Sequence, residues 1–257
     1  MMAFLKKYEI WIFLILAPFM NGLMTYARSE ELISYFGYTN GRFYALLFLL
    51  LFIVTLTKGF KGVLNLFRPM LKWKINPKWY LLSFVFAATL GLTTLLIKGL
   101  YTGSFSAFSL NIPTLKFSFY LLTWAFLGEV VWISYAVREL SKITNPFYAS
   151  QIIGVFWTLW WLPSVYVNVG VIENLPILPL FFNMMGASGM CAIIYAQTKS
   201  GVCVLLLQYM LNMSLIILPI SPGSGVLTYS TFGILYFLVM LAFMYFSRPK
   251  LYTKSIE

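Results

Sequence analysis

An all-α, polytopic transmembrane helical bundle of about eight helices is the fold this sequence predicts, on three observations. Of its 257 residues, 61% are hydrophobic and only 10% charged, against roughly 25% charged in a water-soluble domain. The apolar residues fall in long runs, several close to the roughly 20 residues a helix needs to cross a bilayer. The basic residues fall between those runs and crowd the loops of one side.

The first run, Ile10 to about Tyr26, follows Lys6 and Lys7 and is interrupted by Pro18. A charged start before an apolar stretch also fits a signal peptide. No small-x-small cleavage site is evident and further spans follow, so a retained helix is expected. The later runs are Phe43–Leu56, Trp79–Ile97, Phe117–Val137, Phe147–Val169, Pro176–Gln197, Gly201–Ile220 and Val226–Phe246. Phe43–Leu56 is short, so its ends are expected to extend. Seven spans is the competing count.

The charges favour eight. With both termini on one side, that side holds Lys6, Lys7, Lys58, Lys61, Arg68, Lys72, Lys74, Lys78, Arg138, Lys142, Lys199, Arg248, Lys250 and Lys254, 14 in all; the other holds four, Arg28, Arg42, Lys98 and Lys116. The positive-inside rule then predicts cytoplasmic termini and a plasma-membrane location. The net charge of +11 is thereby assigned to topology and anionic lipid, not to nucleic acid. A single transmembrane domain is expected over 1–257, with a core at about 117–220. Helices in 10–97 and the helix at 226–246 pack around that core.

The segment Lys58–Lys78 mixes six basic residues with Leu64, Leu66, Phe67, Leu71 and Trp73 and is broken by Pro69. It reads as an interfacial stretch on the anionic leaflet or as a solvated loop that only sets topology. Gly186, Ala187, Ser188, Gly189 and Ala192 put small residues on the sixth helix, which permits close helix packing. Trp11, Trp79 and Tyr80 suit an aromatic belt.

The sequence has no His and no Asp. This removes His-ligated metal sites, Ser-His-Asp triads and Asp dyads, and no metal or cofactor is expected. Cys191 and Cys203 lie inside apolar runs and read as small buried hydrophobes.

The chemistry concentrates in Leu127–Pro163, where Glu129 sits deep in an apolar segment. A carboxyl group in hydrocarbon is a functional-site hypothesis by default, although a hydrogen bond to a neighbouring helix would also account for it. Trp157 and Trp161 are four residues apart and share a face, as do Gln208 and Asn212. Counting a rise of 1.5 Å per residue puts Glu129 and Gln208 roughly 13 Å from the basic boundary, and Asn212 and Trp161 near 20 Å. One cavity in the inner half or middle of the membrane is expected to collect them. Pro163 is expected to bend or end its helix beyond the tryptophans.

The order and spacing of three segments resemble the CPBP or Abi family of intramembrane proteins, which includes CAAX proteases and bacteriocin-processing enzymes. GEVVWISY at 128–135, with Trp132 and Tyr135, resembles that family's Glu-Glu-x-x-x-Arg motif. WTLWWLP at 157–163 resembles its aromatic-x-x-x-His motif, and QYMLN at 208–212 its His-x-x-x-Asn motif. On this alignment Gly128 replaces the first Glu, Glu129 keeps the second, and Ile133 replaces the Arg. Trp161 and Gln208 replace the two histidines, and Asn212 is kept. An indole only donates and an amide is no base near neutral pH. The resemblance therefore implies the family scaffold without its hydrolytic machinery.

Two functions follow. One is a non-proteolytic scaffold that holds a membrane-embedded or lipidated protein among Trp132, Tyr135, Trp157 and Trp161, in contact with membrane lipid. Bacterial cell-envelope or lipoprotein maturation, or bacteriocin immunity, are the settings such a resemblance suggests. The other is a lipid-linked acyltransferase with Glu129 as base and Asn212 or Gln208 as oxyanion donor. Retained CAAX-type proteolysis ranks third.

Overall fold

Five helices begin where the sequence offers a side-chain cap. Ser34, Asn76, Thr114, Asn145 and Ser200 each accept a hydrogen bond from a backbone N–H in the first turn of the helix they precede. Pro77 and Pro146 stand just inside two of those starts, where a missing N–H costs nothing. Three helices end on a residue in the left-handed region, Gly103, Asn168 and Lys199.

The computed structural model describes residues 2–105, 110–170 and 175–247. Glu173 and the basic residues Arg248, Lys250 and Lys254 lie outside them. Among the described residues the elements are α1 (Met2–Ser29), α2 (Tyr35–Phe67), α3 (Pro77–Thr102), α4 (Leu115–Gly128), a π-helix (Glu129–Val137), α5 (Arg138–Ile143), α6 (Pro146–Val167), α7 (Ile177–Thr198), α8 (Gly201–Ile217) and α9 (Val226–Phe246). α4, the π-helix and α5 form one continuous rod, so eight helical rods carry the fold. Seven of these are long and apolar enough to cross a membrane. α6, with three tryptophans, two tyrosines and two prolines, is not among the seven. The protein is a polytopic transmembrane bundle.

One expectation about extension holds, and one about interruption changes. α2 does extend, to 33 residues, and bends at Gly59, whose φ of 66° needs a residue without Cβ. Neither Pro18 nor Pro163 ends its helix. At Pro163 the side chain of Asn21 crosses from α1 and donates to the Trp160 carbonyl at 2.5 Å and to Ser164 Oγ at 3.1 Å. A polar side chain on a neighbouring helix thus serves the backbone that proline disturbs.

Beyond Gly59 the chain stays helical through Leu71 and turns one side inward. Gly62, Leu66 and Pro69 are buried, whereas Phe60, Leu64, Leu71 and Trp73 are exposed beside the basic side chains. Leu66 therefore belongs to the core and not to the outward face.

The small residues of α7 let neighbouring helices come close. A Cβ on Gly186 would lie 2.6 Å from the Tyr236 ring and 3.0 Å from the Phe237 backbone nitrogen, and one on Gly189 would lie 2.4 Å from Met240. On another face Ser188 Oγ donates to the Ser150 carbonyl of α6. Leu127 to Val137 is buried on every side, so the π-helix is the axis around which α2, α6, α7 and α8 pack.

Candidate functional site: an aromatic cavity with a buried arginine

The π register decides where Glu129 goes. A π-helix repeats at i to i+5 and advances about 80° per residue, against about 100° in an α-helix. Ser134, five residues on, is thereby brought over Glu129, and its hydroxyl donates to Glu129 Oε1 at 2.6 Å. Oε2 is buried and has no hydrogen-bond partner among the described residues. A Cβ on Gly201 would lie 3.0 Å from Glu129 Oε1 and 3.2 Å from the Pro69 carbonyl carbon. The carboxyl group therefore faces the close contact between α8 and the 3₁₀ turn Arg68–Leu71 that follows α2.

A cavity of about 590 Å³ lies elsewhere around the same rod. Its wall includes Trp132, Trp157 and Trp161 and, from α8, Gln208 and Asn212. Trp132 stacks on Trp157 at 5.9 Å between ring centroids, and Trp160 closes the back of the wall edge-on to Trp161 at 5.3 Å. Five of the predicted residues thus converge. Glu129 does not line this cavity, although its neighbour Gly128 does.

Tyr135 does not line it either; its hydroxyl donates to Glu9 Oε1 at 2.9 Å. The cavity is also not confined to the basic half of the bundle. Tyr35, Thr39, Asn111, Gly170 and Ser221 line it, all close to helix ends on the side remote from Lys58.

Two groups escape a reading of sequence. The first is Arg42, which counts among the loop charges in the topology argument yet is 3% exposed. Its guanidinium lies 4.4 Å from the Trp161 ring centroid and between 5.2 and 5.4 Å from those of Tyr38, Phe43 and Trp160. It donates to Tyr38 Oη at 3.4 Å, Ser164 Oγ at 3.2 Å and the Gly170 carbonyl at 3.3 Å. Desolvating a cation costs on the order of several kcal/mol. Four ring faces at about 0.5–2 kcal/mol each offset part of that.

The second is Glu9, on α1, 6% exposed and bonded to Lys58 Nζ at 2.8 Å as well as to Tyr135. Lys58 also reaches Glu139 Oε2 at 3.1 Å, and Glu139 pairs with Lys142 at 3.0 Å. This cluster borders a second cavity, of about 820 Å³, where Arg68, Lys72, Arg138 and Lys199 join Lys58 and Lys142. Glu9 stands just before the first apolar run and two residues after Lys7, so it reads from sequence as part of a charged N-terminal stretch. No local signal marks Arg42 as buried.

The inventory limits the chemistry. Among the described residues no group of three or more His, Cys, Asp or Glu side chains could hold a metal ion. Cys191 and Cys203 are both buried and free, with Cys203 beside Ser83 Oγ at 3.3 Å. The aromatic cavity offers donors, amides and ring faces.

No protein-family model matches the chain. Over 68 residues, 26% of the chain, it is 37% identical to a CAAX prenyl protease 2 of Methanococcus maripaludis. That stretch covers 24% of the relative, so the chain matches about a quarter of that protein's length. The likeness is local, and its direction is that of the CPBP resemblance.

Proposed function

We propose that this protein is a degenerate CPBP-type membrane protein that binds the lipid-modified part of a membrane-embedded partner in its aromatic cavity and does not cleave it. One observation carries the reading. The segments that resemble the family's second and third motifs meet on one cavity, and they bring Trp161 and Gln208 where the family brings histidines. Trp132 and Trp157 complete an apolar, ring-faced wall suited to a prenyl or acyl chain. The charge bias supports a plasma-membrane location with both termini cytoplasmic. The setting that fits is cell-envelope or lipoprotein maturation, or bacteriocin immunity, with the protein presenting its ligand to another enzyme.

The test uses the full chain in nanodiscs with a farnesylated CAAX peptide carrying a fluorescence quencher on its prenyl chain. The expected result is saturable quenching of tryptophan fluorescence, weakened by Trp161→Ala, with no cleaved peptide by mass spectrometry. Cleavage that stops on adding a chelator would overturn the reading, and so would quenching that never saturates.

A further inference from the structure

We propose that Arg42 makes the aromatic cavity a receptor for an anionic lipid headgroup, with the lipid's chain lying along Trp157 and Trp161. The inference rests on the cavity being a ligand site and names the ligand's chemical class.

Arg42 lines the cavity and is 3% exposed, yet each group it donates to is neutral. Its Nε is buried without a partner among the described residues. No ion pair among the described residues includes it, and the carboxylates nearest in sequence, Glu30 and Glu31, point to solvent. Two more donors on the same wall are buried and unspent, Trp161 Nε1 and Gln208 Nε2, and Gln208 is 5% exposed. Three unsatisfied N–H donors, one of them on a planar cation, match an oxyanion: a guanidinium presents a fork that fits phosphate or carboxylate.

The aromatic wall supplies the apolar half of the ligand. Trp132 and Trp157 are stacked, and Leu180, Met184 and Leu211 extend the surface. An anionic amphiphile satisfies both halves, whereas free phosphate would leave the apolar wall unused. Arg42 sits 16 residues before Lys58 on α2, roughly 24 Å along the axis. The lipid is therefore one from the leaflet opposite the basic cavity.

The test measures tryptophan quenching of the full chain in nanodiscs by phosphatidylglycerol with brominated chains, titrated into phosphatidylcholine. Phosphatidylcholine with the same brominated chains is the reference. Saturable quenching by phosphatidylglycerol at low mole fraction is expected, reduced in amplitude in Trp161→Phe and further in the Trp157→Phe, Trp161→Phe double variant, and unchanged in Lys72→Gln, which removes charge from the basic cavity. Arg42→Gln is expected to weaken it on the order of tenfold, and Arg42→Lys less, since charge is kept without the fork. Circular dichroism and monodispersity establish that each variant is folded. If Arg42→Gln does not fold, Arg42→Lys and competition by inorganic phosphate decide.

Equal, Trp161-dependent quenching by both lipids would overturn the headgroup inference and leave the cavity reading standing. Absence of saturable quenching by either lipid, with the farnesylated peptide still quenching, would overturn this inference alone; absence with all three probes would remove the cavity reading as well. Displacement by millimolar inorganic phosphate would show a free oxyanion as the ligand and overturn the lipid assignment. Stronger quenching by phosphatidylglycerol in Glu173→Gln than in the unaltered chain would show that Arg42 already has a protein counterion and also overturn it.

Discussion

Replacing Lys58 with methionine keeps an unbranched stem and removes the ammonium that holds three rods together. Lys58 Nζ lies 2.8 Å from Glu9 Oε1 on α1 and 3.1 Å from Glu139 Oε2 on α5. Glu9 is 6% exposed, and its remaining partner would be the Tyr135 hydroxyl at 2.9 Å. Removing one partner of a buried pair costs about 3–5 kcal/mol, and of an exposed pair about 0–1 kcal/mol. The Lys58 side chain is 38% exposed, which places this variant between those limits, at about 2 kcal/mol. Glu9→Gln should cost less, about 1 kcal/mol, because Lys58 keeps Glu139 and the amide oxygen still accepts from Tyr135. The double variant leaves no unpaired charge at Glu9 and should be no less stable than Lys58→Met, a coupling on the order of 1 kcal/mol. Reversible unfolding in mixed micelles, followed by tryptophan fluorescence, measures all three. Single costs that add to within about 0.5 kcal/mol would show that this ion pair does nothing for stability, and would sink the claim that it ties α1 to the central rod.

Glu129→Gln keeps an acceptor for Ser134 and should change stability by less than about 1 kcal/mol, with ligand quenching in the cavity unaltered. A loss of some turnover by about a hundredfold or more would instead restore the acyltransferase reading, with Glu129 as its base. Gly186→Val drives a side chain into Tyr236 and the Phe237 backbone, so the α7–α9 contact should open at a cost of about 1–3 kcal/mol, read as a fall in melting temperature in detergent. Ser188→Ala removes one interhelical hydrogen bond, to the Ser150 carbonyl, and should cost about 0.6 kcal/mol in the same assay. A cost as large as that of Gly186→Val would mean that α6 and α7 depend on polar contact more than on close packing.

The bundle was legible because bilayer thickness fixes helix length and the chain is apolar enough to reveal it. The run Val226–Phe246 coincides with α9, and Gly201–Ile220 holds all of α8. Pro163 does not end its helix, because a proline rule drawn from isolated helices ignores neighbours: Asn21, 139 residues from Trp160, reaches its carbonyl. The cavity was legible as far as helical periodicity carries. Trp157, Trp161, Gln208 and Asn212 sit on regular helices and do meet. Glu129 and Trp132 sit on a π-helix, where three residues turn through about 240° and not 300°, so one reaches the cavity and the other does not. Nothing in EVVWISYAV announces that register before the rod is packed.

That register also bears on what the site can do. A general base must come within about 2.6–3.2 Å of the proton it takes, directly or through one water. Glu129 is fully buried behind the wall that Gly128 and Trp132 present to the cavity, and its one bonded oxygen is held by Ser134. Bringing it to a ligand would require rewinding nine buried residues against four neighbouring helices. The groups that do reach the cavity, Arg42, Trp161, Gln208 and Asn212, bind, stack and donate. On the lipid proposal, a wall of that kind would hold an amphiphile by its chain and its charge together, and the specificity of the protein would then lie in how far Arg42 prefers one headgroup over another.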